Sequence, residues 1–178
     1  GNHDNPDRLS APEGIAAECG ILLGGGLDFS RAKEPFSGGE GYVRLRRGKE
    51  TVNFALLPYP SPARMSCMGY EINAEIPYAQ SVRDWLALCA RGFTAPDCNI
   101  TVSHLFMTGS ERASDEVELG TAALLPPDVL PAAHYTALGH IHRPQRVGKT
   151  SAYYSGSLLQ YAFDDTSEKF YNLLETSP

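Results

Sequence analysis

The sequence predicts a mixed α/β fold with strands in the majority. Three observations carry this. Short apolar runs of strand length recur along the chain, while only one segment, residues 79–93, carries a sustained helical stripe. Hydrophobic residues make up 42% of the 178, with nine Tyr and seven Phe, which is enough for a packed core. The length suits one domain, so residues 1–178 are read as a single unit. The formal net charge of −6 excludes a protein that coats nucleic acid by charge alone. It leaves room for a cation-loaded site that meets a phosphate locally.

Taken in order, residues 7–19 read as mostly helical, interrupted by Pro12 and Gly14. Residues 21–23 form a short apolar run ending in three glycines, as a buried strand leading into a turn would. Residues 24–40 are Gly- and Ser-rich and read as loop. Residues 42–47 and 51–57 alternate in the strand manner, with Gly48 and Lys49 as the hairpin turn between them. A loop with Pro58, Pro60 and Pro62 follows. In the helix over 79–93, Val82, Trp85, Leu86, Cys89 and Phe93 form one continuous stripe, and Ser81 with Asp84 resembles a capping box. Residues 99–107 are a strand with Ile100, Val102, His104 and Phe106 on one face and Leu105 and Met107 on the other; apolar residues on both faces predict a central strand. Residues 109–120 read as a polar loop, 125–131 as a short proline-capped turn or helix, and 135–139 as another apolar strand. Short strands are expected near 145–148, 151–155 and 168–174.

The four cysteines, Cys19, Cys67, Cys89 and Cys98, lack C-x-x-C spacing and read as reduced thiols, mostly in the core, of a cytoplasmic protein. No signal peptide and no apolar run near 18 residues supports export or membrane spanning.

Imidazoles cluster at strand ends. "TVSHLF" carries His104 late in a strand, "ALGHIH" carries His140 and His142 directly after one, and "GNHD" carries Asn2 and His3. In open α/β sheets ligands collect at the carboxyl ends of strands, so three segments could converge on one pocket. In an extended H-x-H both rings point to the same side, and two metals held about 3.5–4 Å apart could each take one. Imidazole with amide and carboxylate oxygen suits Mn²⁺, Fe²⁺ or Zn²⁺ better than Ca²⁺ or Mg²⁺. His134 has no partner motif and reads as structural. Arg44, Arg46, Arg47 and Lys49 read as the basic protection of a solvated edge strand. Arg143, Arg146 and Lys149 follow the H-x-H, and Arg143 and Arg146 are candidate DNA contacts.

The series "GNHD", "SHLF", "ALGHIHRPQ" and "YSGSLLQYAFDD" closely resembles the SbcD nucleases, bacterial counterparts of the Mre nucleases within the calcineurin-like metallophosphoesterases. The resemblance runs from Gly1 to about Leu174. It implies a four-layer α-β-β-α sandwich and a two-metal centre, with Mn²⁺ in both positions. Asn2, His104 and His140 would bind one metal and His142 the other. His3 would protonate the leaving sugar oxygen, with Asp4 orienting it, while water activated at the metals attacks the phosphorus in line. The resemblance further implies DNA and an SbcC-type ATPase as partners, double-strand exonuclease and single-strand endonuclease activity in DNA end processing, and a homodimer formed through helices near the N-terminal side of the domain.

The family pattern also has D-x-H and G-D-x-x-D motifs ahead of GNHD. Here no histidine has Asp two residues before it, and the dipeptide "GD" does not occur. The expectation is therefore an incomplete domain, without those motifs and without the family's capping domain, that exposes apolar surface and binds at most one metal weakly. Two other readings stand beside the nuclease. One is a calcineurin-like phosphatase or cyclic-nucleotide phosphodiesterase, against which "RPQ" and "SGSLLQYAF" argue. The other is a non-catalytic fragment without a complete metal site, which fits the polypeptide as given better than an active enzyme.

Overall fold

The computed structural model describes residues 1–70, 72–73, 75–111, 124–160, 163 and 165–175. Most of the predicted polar loop over 109–120, and Tyr161, Ala162 and Asp164 of the SbcD-like "YSGSLLQYAFDD" segment, lie outside the described residues.

The architecture is mixed α/β, as the sequence predicts. The described strands form one seven-stranded sheet: β1 (Phe36–Gly39), β2 (Tyr42–Arg47), β3 (Glu50–Leu57), β4 (Cys98–His104), β5 (Tyr135–Gly139), β6 (Gln145–Arg146) and β7 (Ala152–Tyr154). Their order is β1-β2-β3-β4-β5-β7-β6, which puts β4 in the centre. β3, β4, β5 and β7 run parallel, so their carboxyl ends share one edge. β1 and β6 pair antiparallel at the two flanks. The helices are α1 (Pro6–Ser10), α2 (Glu13–Glu18), α3 (Pro62–Cys67) and α4 (Tyr78–Cys89). None is long and apolar enough to cross a membrane among the described residues.

The core lies on one face of the sheet. Ala55 and Leu57 of β3, Thr101 and Ser103 of β4, Thr136 and Leu138 of β5, and Ala152 and Tyr154 of β7 are all buried there. The α4 stripe of Val82, Trp85, Leu86 and Cys89 covers this face and is excluded from water. Trp85 stacks on Tyr70 with ring centroids 5.1 Å apart. Two of the polar groups buried on this face, Ser103 and Tyr154, find partners. Ser103 Oγ donates to the Leu57 carbonyl, and the Tyr154 hydroxyl donates to the Leu105 carbonyl while accepting from the Met107 N–H.

The opposite face is less covered. Phe36, Val43, Phe54, Leu56, Val102 and Ala137 line a half-open cavity of about 630 Å³ with His104 at its rim, and Val102 is 38% exposed.

Several local expectations are corrected. Residues 21–23 do not join the sheet; the run is too short, and Leu22 instead lies over the open face. Residues 36–39, read as loop, pair with β2 as β1, because backbone ladders need no apolar side chains. β2 is consequently not an edge strand, and Arg44 reaches across the sheet to Asn53 Oδ1 at 2.8 Å. The proline loop holds a short helix, α3, capped by Ser61 Oγ with Pro62 at its first position. Ser81 is not the cap of α4; it is buried inside that helix, whose N-cap is Pro77. Residues 168–174 form no strand, since no ladder of the sheet includes them, and leave Tyr171 and Leu173 exposed. Of the cysteines only Cys89 is buried, and burial pushes its thiol up to about 12; Cys19 and Cys67 are exposed. The hairpin turn is where the sequence places it, with Gly48 at φ +63°.

Candidate metal centre

β4 and β5 are parallel neighbours in a register that pairs His104 with Gly139. His104 is the last residue of β4, and His140 follows the last residue of β5. The "GNHD" segment is a turn, closed by the Asp4 N–H donating to the Gly1 carbonyl, and it brings Asn2 to the same edge. Asn2 Oδ1 lies 2.8 Å from His104 Nε2, and His140 Nδ1 lies 3.3 Å from that same nitrogen.

These spacings fit a single metal position. Ligands bound at about 2.0–2.2 Å stand roughly 3 Å apart across an octahedral edge and about 3.4 Å apart across a tetrahedral one. Two imidazoles and one amide oxygen are a donor set for a borderline transition metal. Among the described residues no group of three or more His, Cys, Asp or Glu side chains is placed to hold an ion.

Local backbone and packing hold this trio. His140 has φ +111°, a conformation that costs a non-glycine residue about 1–3 kcal/mol and persists where the surroundings impose it. Gly139 is set by close approach: a Cβ there would sit 2.8 Å from His104 Nδ1. The buried Phe106 packs on the His140 ring with centroids 5.6 Å apart. Tyr59, two residues past the end of β3, stands perpendicular to the His104 ring at 6.0 Å. None of these supports was singled out beforehand. The "G" of "ALGH" could have been read as a close-approach glycine, but Tyr59 carries no motif.

The remaining predicted residues fall differently. His3 is exposed. The Asp4 carboxylate accepts from the amino terminus and has no hydrogen bond to His3; that bond and the amine's charge hold its carboxyl below the usual range. His142 is half-buried, and its carbonyl accepts from the Ser157 N–H. The extended backbone from which two same-sided rings were inferred is interrupted at His140, whose φ is +111°. Arg143 pairs with Glu111 at 2.7 Å, and Arg146 donates to the Thr150 carbonyl and lies over the Tyr153 ring. His134 exchanges two hydrogen bonds with the Asn99 backbone, consistent with a structural role.

Burial, reinforced by the charges of the amino terminus and His140, pushes His104 down to about 3 from an ordinary 6.5. The imidazole is thus neutral and available as a donor at every working pH. The sign for stability follows directly. The unfolded state takes up this proton at higher pH, so the contribution is full above about pH 6.5 and is lost as pH falls toward about 3. Urea midpoints should therefore drop more steeply between about pH 7 and about pH 4 in the wild-type chain than in His104→Asn. Parallel curves would refute the assignment.

No protein-family model matches the chain. It is 33% identical over 174 residues to a Bacillus subtilis protein named as the D subunit of the nuclease SbcCD, an alignment covering 93% of this chain and 42% of that protein. It is also 33% identical over 175 residues to the protein of the same name from Rhodobacter capsulatus, covering 88% of this chain and 41% of the relative. The chain thus spans about two fifths of the length of these curated relatives.

Proposed function

We propose that this chain, over the stretch it shares with those relatives, is of the SbcD nuclease type and contributes one metal position of a phosphodiesterase centre that hydrolyses DNA in end processing and repair. The observation that carries this is the convergence of Asn2 Oδ1, His104 Nε2 and His140 Nδ1 at the carboxyl edge of a parallel sheet.

When bound there, Mn²⁺ would neutralise phosphate oxygens and lower the pKa of attacking water. Neutral His104 would hold that position without first losing a proton, His140 would add a second imidazole, and Asn2 an uncharged oxygen. His3, exposed and adjacent to Asn2, is assigned the proton that the leaving sugar oxygen needs. In this reading Asp4 turns from the amino terminus to His3 when the centre is complete. His142 would be a ligand of a second Mn²⁺ position. Arg143 and Arg146 reach phosphates only by exchanging their present partners. By the same likeness the whole protein acts with an SbcC-type ATPase, as a homodimer, in the cytoplasm.

The test is Mn²⁺ binding followed by electron paramagnetic resonance, together with Mn²⁺-dependent hydrolysis of an end-labelled duplex, in the wild-type chain and His140→Ala. One weak site is expected, weakened at least about 10-fold by His140→Ala, with no cleavage by this polypeptide above the variant's background. Binding indifferent to His140 would sink the metal assignment. Cleavage abolished by His140→Ala would show that the chain assembles the whole centre. Hydrolysis of a small phosphomonoester with no action on DNA would replace the nuclease with a phosphatase.

A further inference from the structure

We propose that Tyr59 is a positioning residue of this centre, a wall that fixes the plane of the His104 imidazole so that Nε2 faces the metal. The inference rests on the metal position proposed above.

A metal-binding histidine usually donates its second ring nitrogen to a carboxylate or carbonyl, which sets the ring's orientation. Among the described residues His104 has no such bond. Both of its ring hydrogen-bond contacts, to Asn2 and to His140, use Nε2, the nitrogen that would face the ion. The orientation must then come from packing.

Several described groups border the ring, among them Gly1, where a Cβ would come within 2.5 Å of His104 Cε1. Gly139 approaches on the Nδ1 side, where no side chain could fit. His140 stands across it at 5.2 Å, with the two planes at 77°. Tyr59 stands perpendicular to it, at 6.0 Å and 89°. His140 is itself a proposed ligand, and Gly1 and Gly139 have no side chain, so Tyr59 is a side-chain wall that is not also a donor.

The topology explains its placement. β3 and β4 are parallel, with Leu57 beside Ser103, so a residue just beyond β3 arrives beside His104. Pro58 and Pro60 flank Tyr59 and restrict the backbone that presents it. The contact made is by the ring: the Tyr59 hydroxyl has no hydrogen bond among the described residues. This separates the predictions for ring and hydroxyl. Tyr59→Phe should behave as wild type, whereas Tyr59→Ala removes the wall.

The experiment is a Mn²⁺ titration by electron paramagnetic resonance, with the Co²⁺ visible spectrum as a report on geometry, in wild type, Tyr59→Phe, Tyr59→Leu, Tyr59→Ala and His140→Ala. Loss of an outer support weakens metal binding by about 10- to 100-fold. Tyr59→Ala is expected at the lower end, about 10-fold, with an altered Co²⁺ spectrum, and Tyr59→Phe within about twofold of wild type. Tyr59→Leu keeps apolar bulk but loses the flat ring, should the alanine variant fold poorly, and is expected to shift the Co²⁺ spectrum as well. Wild-type affinity and spectrum in folded Tyr59→Ala or Tyr59→Leu, with His140→Ala impaired, would overturn the role of Tyr59 and leave the metal position standing. Equal losses in Tyr59→Phe and Tyr59→Ala would assign the effect to the hydroxyl and overturn the packing argument. Indifference to His140→Ala would remove the metal position, and this inference with it.

Discussion

Trp85→Ala is expected to lower the free energy of unfolding by about 3–5 kcal/mol, the largest stability loss of any single substitution in this chain. Trp85 is fully buried, sits in the middle of the α4 stripe and stacks on Tyr70. Truncation would leave a void under the sheet that α4 cannot close, because Val82, Leu86 and Cys89 hold the helix on either side. Small domains have about 5–15 kcal/mol in total, so the variant should show a large fall in its urea midpoint, with incomplete folding at 37 °C as the extreme. The indole Nε1 makes no hydrogen bond to a described residue. The loss is therefore one of packing, and Trp85→Phe, which keeps a ring against Tyr70 and removes the buried donor, should cost much less. Equal losses for Phe and Ala would show that the indole nitrogen has a partner after all.

Gly139→Ala is expected to disable metal binding with little change in stability. The new methyl would sit 2.8 Å from His104 Nδ1, well inside contact distance. The residue is half-exposed at the end of β5, so the strand can stay in place while the imidazole turns away. Turning it breaks the 2.8 Å approach of Nε2 to Asn2 Oδ1 and its 3.3 Å spacing from His140. We expect Mn²⁺ affinity to fall by roughly 10- to 100-fold, the range for disturbed ligand orientation. The melting temperature of the metal-free protein should move by only a few degrees. A variant that binds Mn²⁺ as wild type does would mean that His104 tolerates the methyl in place and that its orientation is not set by this contact. Together with the Tyr59 series, this substitution probes the ring from its other side.

Much of the fold was legible because it rests on local signals. β2, β3, β4 and β5 announce themselves by alternation or apolar runs, and Val82, Trp85, Leu86 and Cys89 of the predicted stripe are buried in α4, which ends at Cys89, before Phe93. What escaped had no local signal or was overruled by context. β1 is nearly devoid of apolar side chains and exists because β2 offers it a backbone ladder. Residues 21–23 look like a strand and are not one, since no neighbour pairs with them. Ser81 looks like a cap, but the helix begins three residues earlier, at Tyr78.

The site divides in the same way. The sequence by itself determined which donors are present, namely Asn2, His104, His140 and His142, and that they follow strands or turns, because residue identity and periodicity are local properties. Only the tertiary structure decided which of them meet. The parallel register of β4 and β5 sets His104 beside Gly139 and therefore beside His140, and the same parallel edge delivers Tyr59 from β3. The strained backbone at His140 interrupts the extended geometry that the H-x-H spacing suggested for His142. Register and strand order arise from contacts between residues tens of positions apart, so no spacing within one motif can encode them.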